Sequence, residues 1–122
     1  MYLTYNQFYE QYPDTQIQED SFQNLLQRAE TDINGLTFNR ITAKGFDSLS
    51  DFQKSIIMRA VAMQVNFIND NSELLDSPLS SYSISGVSMS FDKSKITEVD
   101  GVITSKSIYG MLLQSGLCYR GL

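Results

Sequence analysis

The side chains able to do chemistry in this chain are few, and their spacing argues against most of it. A nucleophile needs a base beside it, and the 122 residues include no His, so neither a Ser-His nor a Cys-His pair can be built. The single thiol, Cys118, sits beside Tyr119 and Arg120. That setting suits a small packed residue better than a reactive one. Carboxylates come close together at Glu19/Asp20, Glu30/Asp32 and Glu98/Asp100. Residues two apart, such as Glu30 and Asp32, do not share a helical face, and all three pairs read as solvated or capping charges. With one Cys and no His, zinc sites of the Cys/His type are excluded, and no phosphate-cradling glycine loop is present. The residues therefore point away from an enzyme, and no cofactor is expected.

Charge narrows the field further. The net charge is −5, the wrong sign for a surface that grips phosphates. The Lys and Arg residues are scattered, and only Lys93 and Lys95 fall close together. Hydrophobic residues make up 42% and charged residues 19%, the balance of one folded domain spanning 1–122. The lone Cys rules out an internal disulfide and fits a reduced, intracellular setting. No basic-then-apolar leader opens the sequence, and no apolar run approaches the roughly 20 residues of a membrane span. We expect a soluble protein that is not secreted.

What remains is assembly, and the stretch that suggests it is Ser80–Phe91. Small polar and apolar side chains alternate there almost without a break. Folded at Ser85-Gly86, the strip forms a hairpin with Ile84 facing Val87 and Tyr82 facing Met89; the serines share the other face. No Lys, Glu or Pro lies between residues 81 and 91 to blunt its edges, so the ribbon reads as a contact surface. The alternative is a flap laid over the helices of its own chain.

The elements that would carry this hairpin are helical. Thr4 with Gln7 forms a capping box for a helix of about two turns ended by Pro13. Phe8 and Tyr12 lie on one of its faces, with Tyr5 and Tyr9 beside them, and the aromatic cluster is expected to pack on the core. A second helix is expected from about Gln18 to Asn39, with Phe22, Leu25, Leu26, Ala29, Ile33 and Leu36 on one stripe. Ile41–Leu49 reads as a loop pivoting at Gly45. Ser50 and Gln53 cap a third helix to about Asn69. It carries two apolar stripes, one of Phe52, Ile56, Ala60, Met63 and Phe67 and one of Ile57, Val61, Val65 and Ile68, with Gln53 and Gln64 between them. Such a helix is central, and its second face needs the C-terminal helix or a neighbouring copy. Asp70–Leu79 and Asp92–Asp100 read as irregular connectors. Val99-Asp100-Gly101-Val102 could be a second tight hairpin, but a turn into a last helix over about 104–115, capped by Thr104 and closed by Gly116, is preferred. The expected fold is mainly α, a small bundle of about four helices with one protruding β-hairpin.

Three segments together carry a family resemblance: Phe46-Asp-Ser-Leu-Ser-Asp-Phe-Gln before the long helix, Leu74–Phe91, and Gly116-Leu-Cys-Tyr-Arg-Gly-Leu at the end. With the Tyr-rich opening, the chain resembles the head–tail connector (adaptor, or head-completion) proteins of long-tailed phages and prophages of Gram-positive bacteria. Gln18, where the family favours Pro, and Tyr12-Pro13, where it favours a glycine turn, depart from the pattern. The resemblance implies a virion protein, free in the host cytoplasm before assembly. It would form a ring, usually dodecameric, between the portal protein and a stopper or tail-completion protein. DNA would pass through its channel without specific binding, and an acidic lining suits that passage. The hairpin residues Tyr82, Ile84, Ser85, Gly86, Val87, Met89 and Phe91 are then the expected protein interface, and Leu117, Tyr119, Arg120 and Leu122 the expected portal-contacting tail. The competing reading is a small prophage or host regulator acting by protein–protein binding.

Overall fold

Two capping boxes set the helix starts. Thr4 accepts from the Gln7 backbone N–H at 3.1 Å, and the Gln7 side chain accepts from the Thr4 N–H at 2.9 Å. Ser50 and Gln53 repeat the arrangement at 3.1 and 3.2 Å. Each pair satisfies donors that a helix N-terminus otherwise leaves open. The helices that follow are α1 (Tyr5–Gln11) and α4 (Asp51–Asp70), with α2 (Glu19–Leu36) and α3 (Arg40–Lys44) between them. A single 3-10 turn, Phe46–Ser48, links α3 to α4. Strands β1 (Ile96–Val99) and β2 (Val102–Ser105) precede α5 (Lys106–Leu113). The computed structural model describes residues 2–71, 96–99 and 102–118. Over these, the protein is mainly helical with a two-stranded antiparallel hairpin.

Packing follows the apolar stripes. On α2, Phe22, Leu26, Ala29, Ile33 and Leu36 are buried, as one stripe requires. On α4, Ile57, Val61, Val65 and Ile68 are buried, and so are Ile56, Ala60 and Ala62. Helix α4 lies between α2 and α5, and β2 touches all three helices. The aromatic cluster at the N-terminus packs on this core as expected. The Phe8 and Phe22 rings lie 5.1 Å apart, and Tyr5 meets Phe22 edge-on at 5.3 Å. The Tyr5 hydroxyl donates to the Ile17 carbonyl.

Three expectations need correcting. Helix α2 stops at Leu36 rather than near Asn39, because Phe38 and Asn39 both take left-handed backbone angles (φ 56° and 59°) that no right-handed helix accommodates. The Asn39 N–H then bonds back to the Asn34 carbonyl at 2.8 Å. Ile41–Leu49, read as a loop, instead holds α3 and the 3-10 turn, with Gly45 at φ 83° and ψ 127° between them, a conformation closed to residues with a Cβ. The last helix does not start at Thr104. Its N-cap is Ser105, which accepts from the Ile108 N–H at 3.1 Å. Thr104 belongs to β2, paired with Thr97, and the register runs Ile96↔Ser105 to Val99↔Val102. The Asp-Gly hairpin signal therefore outweighs the cap signal. Ile96-Thr97 and Val102-Ile103-Thr104 are β-branched runs flanking a turn dipeptide that favours two-residue hairpins. This hairpin lies against α2, α4 and α5. The hairpin expected at 80–91 lies outside the described residues.

Candidate functional site

Helix α4 shows a second face at its N-terminal end. Phe52, Ser55, Ile56 and Arg59 follow an i, i+3, i+4, i+7 spacing and so share one side. On α5 the same spacing aligns Ser107, Gly110, Met111 and Gln114, while Ile108 and Leu112 turn into the core. The start of α4 lies beside the end of α5, where the Gln53 side-chain amide donates to the Ser115 carbonyl at 3.0 Å. Between these two faces runs a groove of about 650 Å³, walled by the eight residues named and Lys106. Its floor is apolar, with Ile56 buried and Met111 half-buried. Phe52 stands at one end with 61% of its surface exposed. Nothing lies within 4 Å of the position a Gly110 side chain would take, so the wall is open there. A smaller hollow of about 330 Å³ continues past Ser55 and Arg59 to Gln11, Asp51, Lys54 and Met58.

The chemistry of the groove is set by its lining residues. Its charged side chains are Arg59 and Lys106, and neither Ser55 nor Ser107 has a base among the lining residues to activate it. Among the described residues, no group of three His, Cys, Asp or Glu side chains is placed to hold a metal ion.

The other face of α4 is closed by a polar knot. The Gln64 amide donates to Asp32 Oδ2 at 3.0 Å and to the Ile103 carbonyl at 3.2 Å, and accepts from the Thr104 hydroxyl at 2.7 Å. Gln64 and Thr104 are both fully buried. Among the described residues, no buried side-chain nitrogen or oxygen lacks a hydrogen-bond partner. One side chain thereby joins α2, α4 and β2. Burial raises the Asp32 carboxyl above the ordinary aspartate value, while the Gln64 hydrogen bond and the Arg28 charge pull the other way. The reading of Asp32 as a solvated charge is corrected by this contact, and that of Glu30 by another: its carboxylate accepts the Tyr2 backbone N–H. The sequence signal for the knot was the position of Gln64 between two apolar stripes. Its partners could not be read, because they come from distant segments.

The expected interface residues fare differently. Tyr82, Ile84, Ser85, Gly86, Val87, Met89 and Phe91 lie outside the described residues, as do Tyr119, Arg120 and Leu122. Leu117 is 1% exposed and belongs to the core of its own chain, and its carbonyl accepts from Arg40 Nη1 at 2.8 Å. Cys118 is buried beside it, and burial pushes its thiol up to about 11, with the Arg40 charge opposing. A thiol raised in this way stays protonated at neutral pH. No family model, curated protein or solved structure matches the chain.

Proposed function

We propose that the chain is a structural assembly protein of the head–tail connector type, which forms a ring between a portal and a stopper or tail-completion protein and completes a virion head. The observation that carries this reading is the open face of the central helix. Phe52, on the long helix that organises the core, is left 61% exposed above an apolar groove. Aromatic side chains are enriched at protein–protein contacts relative to the rest of a protein surface. The resemblance of residues 46–53, 74–91 and 116–122 to connector proteins supplies the particular assembly, and a mainly helical fold with a hairpin is of the kind that resemblance implies. No helix among the described residues is long and apolar enough to cross a membrane.

Light scattering tests the proposal, with the protein alone and then mixed with the portal protein of the same genome. A large closed assembly in either sample supports it. A monomer or dimer that ignores the portal refutes it and favours the regulator.

A further inference from the structure

We infer that the α4–α5 groove is a docking site for an amphipathic, acidic segment of a partner protein, an apolar side chain entering beside Phe52 with carboxylates against Arg59 and Lys106. The inference rests on the assembly reading only in treating the groove as a contact surface; it adds what kind of segment fills it.

Charge complementarity carries the argument. The chain as a whole is acidic at −5, yet both charged side chains of the groove are cations. Lys54 adds a third in the adjoining hollow, against one carboxylate, Asp51. No hydrogen bond or ion pair within the described residues engages the side chain of Arg59 or Lys106. A cation left unsatisfied on the protein's own surface is available to a partner at no cost of breaking a native pair. Between the cations the floor of Ile56 and Met111 offers apolar area, which water solvates poorly and an aliphatic or aromatic side chain would cover. Gly110 supplies the room. With no Cβ on α5 at that point and open space where one would go, a partner helix can approach the groove closely. Both walls present residues at i, i+3, i+4 and i+7, the spacing that a helix lying in a groove meets.

The probes are two short helical peptides of identical Leu spacing, one flanked by Glu and the other by Lys, titrated into the isotopically labelled protein and followed by amide chemical shifts. The Glu peptide is expected to move the amides of Phe52, Ser55, Gly110 and Gln114, with the Lys peptide at least about tenfold weaker. Gly110→Met, which places a side chain in the open space and leaves the core untouched, should abolish the shifts while the unfolding midpoint stays or rises. Reversing the cations with Arg59→Glu and Lys106→Glu should exchange the two peptides' order. Equal binding of both peptides, shifts that map elsewhere, or no shifts with either would overturn the inference. So would a groove that prefers a DNA duplex to the Glu peptide, or self-association that Gly110→Met removes. Portal-dependent ring formation, measured separately on Gly110→Met and the unaltered protein, separates the two readings. Rings without peptide binding defeat only this inference, and peptide binding without rings defeats only the connector.

Discussion

The two halves of α4 meet their surroundings in opposite ways. From Ala60 to Ile68 the helix is enclosed by α2 and β2, and the one large polar side chain on that side, Gln64, has its amide oxygen and nitrogen fully bonded. From Phe52 to Arg59 the helix faces α5 across an open groove, with an exposed aromatic and two cations at its walls. The difference teaches where specificity is stored. A buried polar group holds its position because every alternative leaves an unpaired donor or acceptor out of water. An open apolar face has no such constraint and is free to bind. The closed half fixes the hairpin to the helices; the open half leaves Phe52, Arg59 and Lys106 around an unfilled groove.

The sharpest way to break the contrast is Gln64→Leu. Leu keeps most of the volume but strands the Thr104 hydroxyl and the Ile103 carbonyl and removes a donor from Asp32. We expect a loss of about 2–4 kcal/mol, read by urea unfolding. The open half offers the control, since Phe52→Ser at a 61% exposed position should cost less than about 1 kcal/mol. Similar losses at both positions would erase the distinction.

Two helical glycines sharpen it further. Gly110 faces open space, whereas a Cβ on Gly35 would meet Val102 Cγ2 at 3.2 Å, where β2 crosses α2. Gly110→Ala should therefore realise most of the helix-propensity gain of about 1 kcal/mol. In Gly35→Ala the crowding of the hairpin should offset that gain. A Gly35→Ala protein as stabilised as Gly110→Ala would show that the hairpin sits loosely on α2.

The smallest effect is electrostatic. Burial raises the Asp32 carboxyl above its ordinary 3.8, so the folded state holds that proton more tightly than the unfolded chain does. The resulting stability is complete below 3.8 and is lost as pH rises through the higher folded value. Asp32→Asn removes this dependence. Unfolding followed from neutral pH downwards should show the unaltered protein gaining slightly on the variant as pH falls. The opposite trend would mean that Gln64 and Arg28 outweigh burial.

Much of this was legible in the amino-acid order because it depends on near neighbours. Thr4-x-x-Gln7 and Ser50-x-x-Gln53 announced two helix starts, since a capping box spans three residues. The single stripe of α2 and the double stripe of α4 followed from periodicity alone, as did the need of α4 for a second partner. Even the site was partly in view: Phe52 and Ile56 stood on the stripe that required covering. What covers it was not, and neither was the fact that α5 leaves the Phe52 end open. The hairpin at 96–105 shows the limit most plainly. Asp100-Gly101 favoured a turn between strands while Thr104 suited a helix cap, and local propensity did not separate the two. The decision came from Gln64, 40 residues from Thr104, whose buried amide needs the Thr104 hydroxyl and the Ile103 carbonyl where β2 puts them. Sequence by itself determined the helices and their apolar faces, because backbone capping and side-chain period act over a few residues. Only the tertiary structure decided the strand, the knot and the groove, because each depends on satisfying or leaving open groups that distant segments bring together.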